Sequence, residues 1–176
     1  MKYFIDFEAT QFTNEIISIG CCSEDEKIFV SLVRPSKKKH MTNFITELTG
    51  IERDAVMEAP TSDEVFDRFY DFIQETNNGE MVEFYCYGNV DESFVKKNLS
   101  KTKSFKAQLI LSTIAMNLID YSSAVKNHFG LFQNISLSKV LKYYYPDADY
   151  SAHLALEDAI ALKMVYEKVE NESEVK

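Results

Sequence analysis

The chain has 176 residues, and its 28 acidic side chains outnumber its 19 Lys and Arg side chains, which gives a formal net charge of −9. Hydrophobic residues make up 45% of the sequence and aromatic residues 13%. This composition excludes a disordered, collagen-like or coiled-coil chain and fits one globular domain. The acidic total also argues at first sight against a nucleic-acid partner, because modules that bind nucleic acid usually carry a basic surplus.

The three cysteines, Cys21, Cys22 and Cys86, form neither a CxxC pair nor an even set of disulfide spacings. We therefore expect reduced, mostly buried thiols in a cytoplasmic protein. Charged residues interrupt the start of the chain before an apolar signal-peptide core develops, and every uncharged apolar run is shorter than the ~18 residues of a membrane span. The sequence thus predicts no membrane partner.

Three short segments near the start of the chain are rich in aromatic and β-branched residues, which indicates strands. They are residues 2–9, 15–22 and 27–33. The links between them are short, and strands joined by short links pair as an antiparallel meander.

Helical patterns follow the meander. A helix over residues 61–76 is predicted to begin with Thr61 and Glu64 in capping-box spacing and to place an apolar stripe on the sheet. A strand at 82–87 comes after this helix, which is typical of a parallel crossover.

The rest of the chain adds a short strand and three more helices to the prediction. We expect the strand at 109–111 and the helices from about Ile114 to Gly130, from Leu137 to Tyr144 and from Leu154 to Val169. The order of elements predicts an α/β fold with a mixed sheet. Residues 1–170 are predicted to form a single domain, and residues 171–176 a polar tail.

The first predicted strand carries two acids, Asp6 and Glu8, in an otherwise aromatic and aliphatic run. Side chains at i and i+2 project from the same face of a strand, so both carboxylates point to one place. Like charges placed so closely repel unless a cation or a proton intervenes. Mg²⁺ and Mn²⁺ prefer such oxygen ligands, so the pattern favours a metal site. An edge strand with its acids facing water is the alternative.

Three further polar residues are candidates for the same site. Asp91 follows the strand at 82–87, and the carboxyl ends of strands are where α/β sheets assemble their sites, although a carboxylate there also caps a helix. His153 and Asp158 would lie about 140° apart if both were helical. They meet only if His153 is on the loop before the last helix, where it could act as a base while Asp158 binds a metal.

Together these segments resemble the three motifs of the DEDDh family of 3′→5′ exonucleases, which includes ribonuclease T, oligoribonuclease and the proofreading subunits of bacterial polymerases. The matching segments are DFEAT at 6–10, YGNVD at 87–91 and HLALEDA at 153–159, and ELTGI at 47–51 and the stretch 59–73 are also similar. The resemblance covers nearly the whole chain. It implies a ribonuclease H-like fold, in which an antiparallel meander and parallel crossovers form a five-stranded mixed sheet flanked by helices.

The resemblance also implies an activity and a set of roles. The activity is hydrolysis of single-stranded RNA or DNA from its 3′ end to nucleoside 5′-monophosphates, with two divalent cations, Mg²⁺ or Mn²⁺. The implied metal ligands are Asp6, Glu8, Asp91 and Asp158, the general base is His153, and the terminal nucleotide lies against the backbone near Phe7, Ala9 and Thr10. Gln11 stands where many RNA-directed relatives have Cys, which leaves the choice between RNA and DNA open.

The charge is unevenly distributed along the chain. Residues 96–142 hold eight lysines and one acid, a net of +7, so the remainder carries −16. Lys96 and Lys97 directly follow the Asp91 motif and are candidates to bind a phosphate backbone, although a solvated charged surface is the ordinary alternative. Phe12 is a weaker candidate for stacking on a base.

Two other functions stay open at this point. One is a phosphodiesterase acting on short oligonucleotides or dinucleotides, and the other is a non-catalytic nucleic-acid-binding domain of the same fold. The sequence favours the exonuclease because all five expected site residues are present. Some members of the family are dimers, so a homodimer is also left open.

Overall fold

A computed structural model describes residues 1–174 of the chain, with side chains to residue 173. Within this range one mixed sheet contains β1 (Lys2–Ala9), β2 (Ile16–Ser23), β3 (Ile28–Leu32), β4 (Glu83–Cys86) and β5 (Leu118–Asp120). The strand order is β3-β2-β1-β4-β5. The meander β1-β2-β3 is antiparallel, whereas β4 is parallel to both β1 and β5, as the sequence predicted.

Helices cover both faces of the sheet. The described part of the chain contains α1 (Asn43–Thr49), α2 (Arg53–Met57), α3 (Ser62–Thr76), α4 (Val90–Leu99), α5 (Phe105–Asn117), α6 (Ser122–His128), α7 (Leu137–Tyr144) and α8 (Ala155–Glu174). None of these helices combines the length and the apolar character that crossing a bilayer requires.

The side chains of β1 point alternately into two apolar cores, one on each face of the sheet. Tyr3, Ile5 and Phe7 point into a core with α3 and α5, whereas Phe4 packs on the opposite face against α6, α7 and α8. Successive side chains of a strand point to opposite faces, so Asp6 and Glu8 share the face of Phe4 and lie under α8. The three cysteines are buried and free of disulfides, as predicted.

Two sequence predictions in the middle of the chain are wrong. The segment 109–111 is part of α5, and the strand lies instead at Leu118–Asp120, which also interrupts the helix predicted from Ile114 to Gly130. The buried residues Ala107, Ile110, Leu111 and Ile114 recur with helical spacing. A short apolar run does not distinguish a buried strand from a buried helix, and here the longer pattern decides.

The start of one helix agrees with the sequence prediction, whereas the end of another does not. The Thr61 hydroxyl accepts from the Glu64 amide, and the Glu64 carboxylate accepts from the Thr61 amide at 2.7 Å, so the predicted capping box forms. The last helix instead continues beyond Val169 to Glu174, so most of the predicted polar tail is helical. Residues 175–176 lie outside the described residues.

Candidate active site

A cleft of about 460 Å³ opens over the C-terminal half of β1, and β1, α4, the start of α7 and the loop before α8 line it. This cleft brings together all five residues that the sequence singled out: Asp6, Glu8, Asp91, His153 and Asp158. They come from three separate parts of the chain. Folding therefore creates a cluster that no single segment contains.

The central strand supplies two of the carboxylates. β1 pairs with β2 on one side and with β4 on the other, so the alternative of an edge strand with acids facing water is excluded. Glu8 is buried and Asp6 is half-buried, both on the face that α8 covers. The pairing between β1 and β2 is irregular between Glu8 and Ala9, where the strand leaves the regular ladder. Such irregularities re-aim side chains at the ends of strands.

Two helices supply the other carboxylates from their first turns. Asp91 lies in the first turn of α4 and is buried, and Asp158 lies in the first turn of α8. A helix N-terminus favours negative charge because its free amides and its dipole face the carboxylate. The positions at the two helix starts thus offset part of the repulsion that four acids in one cleft produce.

His153 lies outside the last helix, as the spacing predicted. Its backbone has a φ of 67°, in the left-handed region that non-glycine residues seldom adopt. The His153 amide donates to Oδ2 of Asp158 at 2.9 Å, and the Tyr150 hydroxyl donates to Oδ1 of the same carboxylate. Together these two bonds hold the loop of His153 over the first turn of α8.

The imidazole of His153 shares one small region with two of the carboxylates. Potential ligand atoms of Glu8, His153 and Asp158 all lie within 4.8 Å of one another. Tyr150, which fixes this arrangement, was missed by sequence reasoning. It is an aromatic residue in a polar loop and follows no motif spacing, so the sequence carries no signal for it.

The carboxylates of the cleft hold their protons unusually strongly. Burial, together with the charges of Asp158 and Asp91, raises the pKa of Glu8 to about 8. Burial also raises the pKa of Asp91 to about 7, although neighbouring amides partly oppose the increase. The pKa of Asp6 rises well above its usual value because of burial first and the nearby acids second.

The donor set of the cleft fits divalent cations. Among residues 1–174, no Lys, Arg or His forms an ion pair with Asp6, Glu8, Asp91 or Asp158. Within the described residues no salt bridge therefore balances these four acids, although burial raises the pKa of Asp158 and the nearby imidazole of His153 opposes part of that increase. Carboxylate oxygens in this number are the ligands that Mg²⁺ and Mn²⁺ prefer, and a bound cation would relieve the repulsion.

Gly20 sets how closely α8 approaches the sheet. It pairs with Asp6 across the β1-β2 ladder. A Cβ atom at this position would lie 2.2 Å from both the carbonyl carbon of Ala155 and the amide nitrogen of Leu156. Only glycine therefore lets the first turn of α8 bring Asp158 close to β1. Sequence reasoning missed this role, although an isolated glycine in a strand is a signal of close backbone approach.

Most of the residues that were predicted to contact substrate do not line the cleft. Phe7 borders the cleft, but its side chain is buried in the core. Ala9 and Thr10 are buried outside the cleft, and the Thr10 hydroxyl accepts from the Glu15 amide at 3.0 Å. Lys96 and Lys97 are exposed on the second half of α4 and do not line the cleft.

The sequence of the chain matches a known protein family. The family model RNase_T, described as an exonuclease, matches residues 3–166. The chain belongs to this exonuclease family. It is 28% identical over 171 residues to the PolC-type DNA polymerase III of Caldanaerobacter subterraneus subsp. tengcongensis, a match that covers 93% of the chain but only 11% of the polymerase.

Solved structures share the fold of this exonuclease-family chain. The nuclease domain of 3′hExo, a DEDDh family member bound to rAMP, superposes with a TM-score of 0.79 at 23% identity, covering 97% of this chain and 92% of that one. Exonuclease X in complex with 5′ overhanging duplex DNA gives 0.68 at 15% identity, with coverages of 98% and 93%. E. coli exonuclease I with a dA16 oligonucleotide gives 0.64 at 13% identity, with coverages of 97% and 40%. The predicted ribonuclease H-like fold is thereby confirmed.

Proposed function

We propose that the chain is a metal-dependent 3′→5′ exonuclease that releases nucleoside 5′-monophosphates from single-stranded RNA or DNA. The observation that carries this proposal is the convergence of four carboxylates and one imidazole in a single cleft. No salt bridge within the described residues pairs with these carboxylates. Membership of the exonuclease family supports the same reaction.

In this proposal Asp6, Glu8, Asp91 and Asp158 hold two divalent cations. When bound, the cations supply charge stabilisation for displacement at the scissile phosphate. His153 accepts the proton of the attacking water, a task to which imidazole is suited near neutral pH. Its place on the loop before α8 brings it beside Glu8 and Asp158 without making it part of the helix.

The remaining residues have positioning roles in the proposal. Main-chain groups near Phe7, Ala9 and Thr10 hold the terminal nucleotide, and Lys96 and Lys97 attract the phosphates of the strand that follows. Because Lys96 pairs with Glu92 on the same helix, Lys97 is the freer of the two ammonium groups.

A single assay tests the function. A 5′-labelled single-stranded oligonucleotide with Mg²⁺ or Mn²⁺ is expected to give a ladder that shortens from the 3′ end. Asp6→Asn and Asp158→Asn should abolish the ladder, whereas Asp25→Asn, a matched change of an exposed acid between β2 and β3, should not. An undiminished rate in either site variant contradicts the proposal.

The same assay separates the other candidate functions. A rate that falls steeply as the oligonucleotide grows longer identifies a phosphodiesterase for short oligonucleotides. Binding without any product identifies a non-catalytic domain. Matched RNA, DNA and duplex substrates show which nucleic acid is preferred.

A further inference from the structure

The side chain of Asp120, at the end of the edge strand β5, contacts the turn that leads into α4, the helix of Asp91. β5 is parallel to β4, and Asp120 lies opposite Cys86 in this pairing. Oδ1 of Asp120 accepts from the amide of Gly88 at 2.7 Å and from the amide of Ser122 at 2.9 Å. One carboxylate oxygen thus joins the start of α6 to the turn before α4.

The turn between β4 and α4 has a defined shape. Gly88 has a φ of 110°, a conformation that residues with a Cβ atom rarely adopt. The Cys86 thiol donates to the carbonyl of Gly88 at 3.3 Å, and the Tyr87 hydroxyl donates to the carbonyl of Ile135 at 2.8 Å. Both polar backbone groups of Gly88 are therefore bonded to side chains, its amide to Asp120 and its carbonyl to Cys86.

The first turn of α4 depends on this arrangement because the helix lacks a side-chain cap. Asn89 is the N-cap residue of α4, and its side chain makes no capping hydrogen bond. The free amides of a helix start are usually satisfied by such a cap, and helix ends fray without firm contacts. Asp91 follows Gly88 by three residues, a span of at most about 10 Å. The orientation of the Gly88 peptide therefore directs where the carboxylate of Asp91 enters the cleft.

The contacts of Asp120 favour a role in positioning over a role of its charge alone. Burial raises the pKa of Asp91, and the charge of Asp120 adds to the increase. A charge acting at a distance needs no directed bonds, whereas Oδ1 of Asp120 accepts from two backbone amides. The bond from Ser122 serves only the start of α6. The shorter bond from Gly88 is the one that reaches towards the site.

We propose that Asp120 is a positioning residue of the active site, which orients the Gly88 peptide so that the first turn of α4 directs Asp91 into the cleft. This inference rests on the proposed function, since it takes Asp91 to be a metal ligand. Asp120 does not line the cleft, so in this proposal it contacts neither the cations nor the substrate.

Asp120→Ala and Asp120→Asn test the proposal, because asparagine keeps an accepting oxygen but not the charge. In Asp120→Ala we expect the Kd for Mn²⁺, measured by calorimetry without nucleic acid, to rise about 10–100-fold, and the hydrolysis rate at a fixed Mn²⁺ concentration to fall in the same range. Asp120→Asn should stay within about threefold of the wild type in both. The amides of Gly88 and Asp91 should exchange hydrogen about tenfold faster in Asp120→Ala only.

Asp67→Ala is the matched control. Asp67 is half-buried like Asp120, and its carboxylate also accepts from a backbone amide of another element, that of Ala107 in α5 at 3.0 Å. Asp67 does not line the cleft. We expect Asp67→Ala and Asp120→Ala to lower the thermal stability similarly, while only Asp120→Ala changes the Mn²⁺ affinity and the rate.

Unchanged Mn²⁺ affinity, rate and hydrogen exchange in Asp120→Ala would overturn the inference. Equal losses in Asp120→Ala and Asp120→Asn would overturn it too, because they would assign the effect to the charge, and equal losses in Asp67→Ala would assign it to a general loosening of the fold. If the wild-type protein shortens no strand, the proposed function fails, whereas the exchange of the Gly88 and Asp91 amides still decides whether Asp120 positions this turn.

Discussion

Gly20 of β2 lies directly against Ala155 at the start of α8, so close that a Cβ atom on Gly20 would be 2.2 Å from the carbonyl carbon of Ala155. The contact connects two parts of the site, because Gly20 pairs with Asp6 of β1 and Ala155 begins the helix of Asp158. The spacing between sheet and helix therefore determines the spacing between carboxylates.

Gly20→Ala is expected to move the first turn of α8 away from β1. Misplacement of reacting groups by about 1 Å can reduce a rate about 100-fold, and overpacking of this kind destabilises by about 1–3 kcal/mol. Hydrolysis rates and urea unfolding measure the two effects. Ser18→Ala, on the same face of β2, adds no atom and serves as the control. A Gly20→Ala protein with the wild-type rate would contradict this role.

His153→Ala is expected to lower the hydrolysis rate by about 10²–10⁴, the usual contribution of a general base. The affinity for Mn²⁺, measured by calorimetry without substrate, should change less than about threefold. Equal losses of rate and affinity would instead make His153 a metal ligand.

Tyr150→Phe removes the hydroxyl that donates to Asp158 while it keeps the ring. Groups that orient a metal ligand typically contribute about 10–100-fold to activity or metal affinity, so we expect a loss in that range. Tyr143→Phe, at an exposed position of α7, is the control. The same rate and metal affinity in both variants would show that the hydroxyl has no positioning role.

Added Mg²⁺ or Mn²⁺ is expected to stabilise the protein, because a ligand that binds only the folded state contributes about 2.7 kcal/mol at 100 times its Kd. Thermal unfolding with the metal and with EDTA measures this. Asp6→Asn should reduce the metal-dependent shift, and Asp25→Asn should leave it unchanged. A shift of the same size in Asp6→Asn would place the bound cation elsewhere.

Because of Glu15, we expect the protein to lose stability in acid. Burial opposes its ionisation, but the hydrogen bonds from Lys101, Ser36 and His40 prevail and lower its pKa from 4.5 to about 2. The folded state thus binds fewer protons than the unfolded state in this range. The stabilisation is complete above about pH 4.5 and disappears as the pH falls towards 2.

Urea unfolding between pH 7 and pH 2 tests this behaviour. Glu15→Gln should unfold more easily at pH 7, by about 2 kcal/mol, and its stability should depend less on pH below 4.5. Glu47→Gln, a matched change on the exposed surface of α1, should retain the wild-type profile. Parallel profiles for Glu15→Gln and the wild type would show that the network does not hold the carboxylate ionised.

The sequence correctly predicted the features that depend on residue spacing within one strand or helix. The i and i+2 spacing of Asp6 and Glu8 placed both on one face, and the distance from His153 to Asp158 placed the histidine before the helix. The segment from Phe105 to Asp120 was misjudged because its apolar residues fit both a helix and a strand until their burial is known.

The parts of the site that were missed depend on contacts between distant segments. Gly20 is constrained by the backbone of α8, and Tyr150 by the carboxylate of Asp158. Glu15 and Asn98 likewise form hydrogen bonds with partners that lie far along the chain. A single sequence shows residue types and intervals but not these pairings.

The order of the cleft residues along the chain has a consequence for biosynthesis. The first strand supplies Asp6 and Glu8, and Asp158 arrives only with the last helix of the described residues. A growing polypeptide therefore lacks the complete set of five proposed site residues until α8 has left the ribosome and packed on β1.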